Sequence, residues 1–498
     1  MRIEKIEVPS FRALRDVVLD FGQGYDPAVF PIGSENGGGK STLLQLIFAL
    51  LHCSAHEERF PYLRNLLASE LGDDDRSERL IARITLRFAD EVHPLEFVSI
   101  GHTFLAERLP EPVMSGFGTE LELENNSILL DDLSKRRQAL TEAKERASNP
   151  VLAERDVRID PVYFENVARY LPNQKVPSTY RDLRIVVDRE LKRVITELEG
   201  ANGRVEALST DRERVMGLLV SLNYEFLTTF TFRKNTPHRA LVCRSPGLSA
   251  ERVRRVLLEA APKIFLLGPS NQQYLFLGVE VRKALLGAQS PRGRLGTSLK
   301  EVRRRPQIDY LERLDVAEST LEGFYAYDWL SVQPLVRLFA TARDEDFRKA
   351  IKTGSYGTAY TDLLREANGL LFEKKVRPRE DLSGVEFIIT DTDGQETALG
   401  PEDLSQGELK RLMIYAWLRA NSASDAVVLI DEIETSFHPD WQIGIIRDLQ
   451  DWAPGNQYLL ATHSYELCQA LTPRHVRELQ PRLRRGPKAD NGEPGKNL

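Results

Sequence analysis

Cysteine is scarce in this sequence. Cys53, Cys243 and Cys468 are the three in 498 residues, and no C-x-x-C pair occurs. That excludes a disulfide framework and a sequence-local zinc knuckle, and it suits a reducing compartment. Positive charge is not in excess either. The formal net charge is -7, so the overall balance attracts neither nucleic acid nor an anionic membrane, and any such contact would need a local patch. Long apolar runs are also missing. No stretch reaches the length of a membrane span. The opening MRIEKIEVPSFRAL alternates charge and hydrophobe where a signal peptide needs an unbroken apolar core. The expectation is a soluble, cytoplasmic protein with no membrane partner.

The chain is long enough for one large core or two to three smaller ones. Its ends read as α/β. Ile3, Ile6 and Val8, then Val17 to Phe21, predict two strands joined by a turn at Pro9 and Ser10. Val29 to Ile32 predicts a third strand, Thr42 to Leu51 a buried helix, and Glu78 to Phe88 with Leu95 to Ile100 a further strand pair. The middle reads as helical. Leu133 to Ser148 and Tyr180 to Leu218 are amphipathic, with an apolar stripe through Leu183, Val187, Leu191, Val194 and Leu198 that Gly200 and Gly203 are expected to interrupt. Pro291 to Pro306 reads as a basic connector. From Val385 the strands return: a hairpin turning at Asp391 to Gly394, a helix from Glu408, an apolar strand Ala426 to Ile430, a helix opened by Pro439, and a strand Gln457 to Ala461.

The chemistry gathers at the ends of these strands. "IGSENGGGKSTLL" supplies Gly37, Gly38, Gly39, Lys40 and Ser41 immediately before a helix. Successive backbone N–H groups at such a helix start converge on an anion, and glycine allows the close approach. The lysine would reach the outer phosphates of a nucleotide, and the serine hydroxyl would hold Mg²⁺. Counted strictly, the first glycine of G-x-x-x-x-G-K-[ST] should stand at position 34, where there is Ser34. Pro31 is also unusual in a central strand, because it lacks a ladder donor. Taken alone, the loop could be a plain strand-to-helix turn.

Three further segments weigh against that reading. "VVLIDEIE" ends an apolar strand at Asp431 and Glu432, where a carboxylate meets a magnesium-bound phosphate and a second polarises the attacking water. "QYLLATHS" ends another strand at Thr462 and His463. "LSQGELKRL" puts Ser405 and Gly407 at a helix start, a donor-rich position that suits a phosphate.

Glycine loop, "LSQGE", "VVLIDE" and "ATHS" resemble, in order and relative spacing, the motifs of the ABC-type ATPases. More narrowly the chain is similar to their SMC-, RecF- and OLD-like branch, which "IEKIEVPSFRALRDVVLDF" and "DEIETSFHPDW" also fit. The resemblance covers roughly residues 1–105 and 380–480. It implies an α/β fold: an ABC-type P-loop ATPase head, a mixed sheet flanked by helices, split by a large mainly helical insertion. The expected domains are an N-terminal lobe at 1–105, the insertion at 106–379, a C-terminal lobe at 380–483 and a disordered tail at 484–498.

The resemblance also implies a composite site for ATP and Mg²⁺. Asn36, Gly37, Gly38, Gly39, Lys40, Ser41 and Thr42 would bind the nucleotide, Ser41 and Asp431 the metal, and Glu432 and His463 would act in hydrolysis. Ser405, Gln406, Gly407 and Glu408 would contact the nucleotide of a second head, so that the phosphates hold a homodimer or higher oligomer together. Gln406 departs from the small central residue usual in that signature. Gln272 or Gln273, after "IFLLG", is the candidate for the family's loop glutamine.

Lys40 and Ser405 lie 365 residues apart, far more than in transporter ATPase subunits, which argues against a transporter. The insertion is too short for the long arm of a chromosome-maintenance protein. After His463 the chain has 35 residues, fewer than an OLD-type nuclease domain needs, so a nuclease under its control is expected on another polypeptide. The sequence thus resembles the ATPase subunits of antiphage systems such as Septu, PARIS and retron-linked modules, where a separate effector, a nuclease, is the partner. The alternatives are a RecF-like DNA-repair ATPase acting directly on DNA, and a non-hydrolysing ATP-bound scaffold. For nucleic acid as partner, the candidate strip is Arg303, Arg304 and Arg305 with Arg252, Arg254 and Arg255, weighed against a solvated helix face.

Overall fold

A computed structural model describes residues 1–22, 24–35, 37–67, 77–89, 91–109, 116–149, 158–159, 167–171, 179–230, 238–269, 272, 319–327 and 332–479. The expectations placed on Asn36, Gln273, Arg303 to Arg305, the basic connector and the tail 484–498 lie outside these residues.

In chain order the head begins with β1 (Arg2–Phe11), β2 (Leu14–Asp20), β3 (Val29–Gly33), α1 (Lys40–His52), α2 (Phe60–Leu67), β4 (Glu78–Phe88), β5 (Glu91–Ile100) and α3 (His102–Ala106). Two long helices follow, α4 (Thr119–Ala147) and α5 (Tyr180–Ser221). Then come β6 (Glu225–Phe230), β7 (Arg239–Arg244), α6 (Ala250–Ala260), β8 (Ile264–Gly268), β9 (Phe324–Ala326), α7 (Gln333–Thr353) and α8 (Ala359–Gly369). The last part holds β10 (Lys374–Pro378), β11 (Val385–Thr390), β12 (Glu396–Leu399), α9 (Gln406–Ala420), β13 (Val427–Asp431), α10 (Pro439–Trp452), β14 (Gln457–Ala461), α11 (Tyr465–Gln469) and β15 (Arg477–Glu478).

Among the described residues, two six-stranded sheets organise the molecule. One is antiparallel in the order β2-β1-β4-β5-β7-β6, and the other runs β15-β3-β14-β13-β8-β9 with all pairings parallel. Side chains along a strand alternate between faces, and the parallel strands obey this strictly. Val427, Leu429, Leu459 and Ala461 enter one core with α1 and the antiparallel sheet. Val428, Ile430, Tyr458 and Leu460 enter a second core with α7, α9 and α10. The parallel sheet is therefore covered on both faces, as its unbroken apolar strands require. The small sheet β10-β11-β12 contains the expected hairpin, with Asp391 accepting from the backbone at Asp393 and Gln395 to shape the turn.

The fold is the α/β head that was expected, but its divisions differ. Strands β6 to β9 fall inside 106–379 and complete both large sheets, so the boundaries at 105 and 379 are not where the lobes separate. Among the described residues between β5 and β6, the long helices α4 and α5 pack on each other through Leu133, Leu140, Leu183, Val187, Leu191, Val194, Leu198 and Ala201. Gly200 and Gly203 do not interrupt α5. The helix runs 42 residues through both, since the glycines cost helix propensity but the flanking seam residues Leu198 and Ala201 stay buried.

Pro9 does not make the first turn; β1 continues to Phe11 and turns at Arg12, which adopts φ 50. The pairing of β1 with β4 ends at Glu7, so Pro9 meets no ladder on that side. In β3 the even residues face β14, with Ala28 and Ile32 accepting from Tyr458 and Thr462 at 2.8 and 3.2 Å. The odd ones face β15, with Gly33 accepting from Leu479 at 2.8 Å. Pro31 thus turns its donor-less nitrogen toward a strand whose pairing starts only at Ile32.

Candidate functional site

The C-terminal ends of β3, β13 and β14 are neighbours, and each carries one of the segments picked out in the sequence. From β3 the chain passes through the glycine loop into α1. Gly37 and Gly39 take φ 80 and 91, the left-handed region that favours glycine. Gly39 is the N-cap of α1 and offers no side-chain hydrogen bond, so the first N–H groups of the helix remain available to an anion. Gly38 is needed because of Ser34: a Cβ at position 38 would lie 2.3 Å from the Ser34 hydroxyl. The irregular loop is therefore self-consistent.

Lys40 is buried and its ammonium donates to the Ser34 hydroxyl at 3.1 Å and the Ser34 carbonyl at 3.3 Å. Ser34, which stands where the pattern has glycine, is thus the lysine's partner. His463 Nδ1 lies 3.5 Å from the same ammonium. Burial lowers the pKa of Lys40, while the carboxylates of Asp431, Glu434 and Glu432 act in the opposite direction. Ser41 and Thr42 occupy the first turn of α1, half-buried.

Asp431 ends β13 and is 2% exposed. Burial, with Glu432 and Glu434 nearby, pushes its pKa up to about 6 against the pull of the Ser41 hydroxyl and Gln272. Gln272 is itself buried and donates from Nε2 to Asp431 Oδ2. Asp431 Oδ1 and Glu434 Oε2 are buried without a hydrogen-bond partner. The orphaned oxygen of Asp431, whose carboxylate meets the Ser41 hydroxyl, makes with it a hard-oxygen donor set, which suits magnesium. Glu432 follows in the left-handed region at φ 52, its N–H donating to Ala461 of β14 at 2.9 Å.

Lys40, Ser41, Asp431, Glu432 and His463 are therefore brought together, and Gln272 joins them. Glu434 was missed by sequence reasoning. Its Oε1 accepts from the backbone of His463 at 2.6 Å, tying the β13 and β14 exits to each other; the signal was the second acid of "DEIE".

The signature segment lies elsewhere. Ser405 is the N-cap of α9, and with Glu408 it forms a capping box. The hydroxyl donates to Glu408 Oε2 at 2.8 Å and accepts from Glu408 N at 3.2 Å. Gln406 accepts from Ser436 at 3.2 Å. Among the described residues no hydrogen bond joins Ser405, Gln406 or Gly407 to the glycine loop, Asp431, Glu432 or His463. Glu408 is a support for the signature here. It is 3% exposed and receives Lys374 on both oxygens at 3.1 Å, the backbone of Phe372 at 3.3 Å and that of Ser405 at 3.1 Å.

Burial alone would raise the Glu408 pKa, but these hydrogen bonds outweigh it and hold the value below that of an ordinary glutamate. Its stabilisation is present above the usual glutamate range and disappears as pH falls through the folded value. Glu408→Ala strands the Lys374 ammonium and removes the cap. We expect a loss of about 2–4 kcal/mol in urea denaturation at neutral pH, shrinking toward acid.

Arg252, Arg254 and Arg255 do not form a free basic strip. They pair with Glu91 at 3.3 Å, Glu225 at 3.9 Å and Glu251 at 2.9 Å. Burial raises the thiols of Cys53, up to about 12, and of Cys243, which fits a packing role for both. Among the described residues no helix is long and apolar enough to cross a membrane.

Residues 245–469 match the family described as "AAA domain, putative AbiEii toxin, Type IV TA system". Over 95 residues the chain is 32% identical to the Retron Ec83 probable ATPase of Escherichia coli, covering 17% of this chain and 18% of that one. Structural neighbours include the Smc head domain with an extended coiled coil bound to the C-terminal domain of ScpA from Pyrococcus furiosus. It is 13% identical with a TM-score of 0.29, covering 94% of this chain and 91% of that one. The SmcHead bound to the C-winged helix domain of ScpA is 12% identical with a TM-score of 0.33, covering 94% and 92%. The chain thus spans about a fifth of the retron ATPase's length. The family match and the similarity to the retron ATPase agree with the retron-linked ATPase resemblance read from the sequence.

Proposed function

We propose that this chain binds ATP with Mg²⁺, hydrolyses it, and assembles through its heads as a dimer or larger oligomer that controls a separate effector in antiphage defence. The observation that carries the reading is the meeting of Lys40, Ser41, Asp431, Glu432 and His463 at one edge of the parallel sheet, with the signature unconnected to them. A site so divided calls for a second copy to supply Ser405, Gln406 and Gly407 to the nucleotide.

In this reading the glycine-loop N–H groups and Lys40 bind the phosphates, and Ser41 and Asp431 hold the metal. Magnesium, when bound, offsets charge on the phosphoryl oxygens. Glu432 orients the water and accepts its proton, while His463, beside Lys40, marks the outermost phosphate. Similarity to a retron ATPase supports defence as the setting; a nuclease as the effector is what the resemblance read from the sequence implies. The carboxylate partners of Arg252, Arg254 and Arg255 weigh against direct action on DNA.

The test is ATP turnover measured together with native mass, for the wild type and Glu432→Gln. Removing a general base costs about 10²–10⁴-fold in rate, so the variant should lose turnover and hold an ATP-bound dimer. Turnover equal to wild type in the variant would remove Glu432 from the mechanism. Tight ATP binding without turnover in either protein would replace the hydrolase by the scaffold.

A further inference from the structure

Glu432 holds a backbone conformation that a non-glycine residue adopts at a cost of roughly 1–2 kcal/mol, at φ 52. Such a residue persists only where its surroundings over-determine it. One of those surroundings is a buried cation. Lys410 of α9 is 5% exposed, and its ammonium donates to the carbonyls of Glu432 and Thr435, each at 3.0 Å. It also lies 3.9 Å from the ring centroid of Tyr327 and 5.3 Å from that of Phe437. A lysine ammonium has three donors and no acceptor. Two bridge the ends of one turn, and the rings supply a favourable face for the charge.

Tyr327 completes the arrangement. Its hydroxyl reaches the Glu432 carbonyl at 3.0 Å and also the Asp431 carbonyl. Lysine and tyrosine therefore converge on the peptide that aims the Glu432 carboxylate. Both act on the turn between β13 and α10.

We propose that Lys410 is a positioning residue for Glu432: it locks the 432–435 turn to α9 and thereby fixes where the general base stands. The inference rests on the reading of Glu432 given above. It extends that reading by placing a determinant of hydrolysis on the helix that begins at the signature.

The experiment compares Lys410→Met, Tyr327→Phe and each combined with Glu432→Gln, in the full chain. Steady-state turnover, ATP affinity and thermal unfolding are followed for all. Misplacing a reacting group by about 1 Å costs on the order of 10²-fold. Lys410→Met should lower kcat by about that factor, with ATP affinity within about twofold of wild type because Lys40 and the glycine loop are untouched. Added to Glu432→Gln it should lower the residual rate no further, since residues acting through one group are not additive.

A folded Lys410→Met with wild-type kcat would overturn the proposal, as would an equal fall in rate in both backgrounds. Where Lys410→Met does not fold, Tyr327→Phe decides. It keeps the ring beneath the lysine and removes one donor to Glu432, so kcat should fall about tenfold with the same non-additivity; an unchanged kcat overturns the proposal. A wild type that binds ATP without turning it over would instead sink the reading of Glu432, and this inference with it.

Discussion

Asp431→Asn should make the metal-free protein more stable at neutral pH while abolishing its response to Mg–ATP. The two effects have one cause. In the folded chain Asp431 is buried with Oδ1 unpartnered, and its pKa is raised from 3.8 to about 6. The folded state therefore holds this proton more tightly than the unfolded state. The cost of ionising the group is absent below about pH 4, grows between 4 and 6, and is complete above 6. A difference near two pKa units is worth roughly 3 kcal/mol. The amide carries no charge to ionise, so it should recover up to that amount at pH 7.5 and little at pH 4.

Binding reverses the order. A ligand at 100 times its dissociation constant stabilises by about 2.7 kcal/mol, and the wild type should gain on that scale from Mg–ATP. The amide, having lost the charge that a hard cation requires, should gain little. Urea denaturation at pH 4, 6 and 7.5, with EDTA and with Mg–ATP, reads both effects. If Asp431→Asn proves less stable than wild type in EDTA at pH 7.5, Asp431 is a structural residue and the metal assignment fails.

The parts of this site that were legible in the sequence share one property: they stand at the boundary of an element. Asp431–Glu432 and Thr462–His463 stand where an apolar strand stops, Gly39–Lys40 opens α1 after β3, and a parallel sheet brings such strand ends to one edge. Tyr327, Lys374 and Lys410 carry no such mark. Each acts through a partner distant in sequence, the carbonyls of 431–435 or the carboxylate of Glu408, and single polar residues within amphipathic segments leave no period to read. Glu434 was visible as the second acid of "DEIE", but its role depends on the backbone of His463 arriving beside it. The capping box at Ser405 and Glu408 was local and readable, yet the nucleotide reading of the same residues hid it.

The fold divided along similar lines. Strands with clear alternation or continuous apolar runs were found, β4 and β14 with their bounds. Which sheet a strand joins is a long-range matter, and RALVCR of β7 and IFLLG of β8 look alike as apolar runs. One completes the antiparallel sheet against β5, the other the parallel sheet against β13. That is why the middle of the sequence reads as a helical insertion although its strands build both sheets.

Gly407→Ala should separate a composite site from a self-contained one. A Cβ at position 407 would lie 2.7 Å from the Ser436 carbonyl and 3.1 Å from the Trp441 ring. The nearer obstacle is backbone, and it cannot swing aside. Ser436 sits at φ 72, in a turn pinned by Lys410 on Thr435 and by Phe437 N–H on Glu434 at 3.0 Å. Overpacking of this kind costs about 1–3 kcal/mol, and it is relieved only by moving the start of α9 away from that turn. Ser405 and Gln406 move with it, while Lys40, Ser41 and the glycine loop have no part in the strain. The expected result is ATP affinity close to wild type in a monomeric head, with ATP-dependent dimerisation lost and turnover down by about 10²-fold. Equilibrium binding of ATP and sedimentation with and without nucleotide make the two measurements. A Gly407→Ala protein that still dimerises on ATP and hydrolyses it normally would mean that the signature meets no second nucleotide, and that each head works alone.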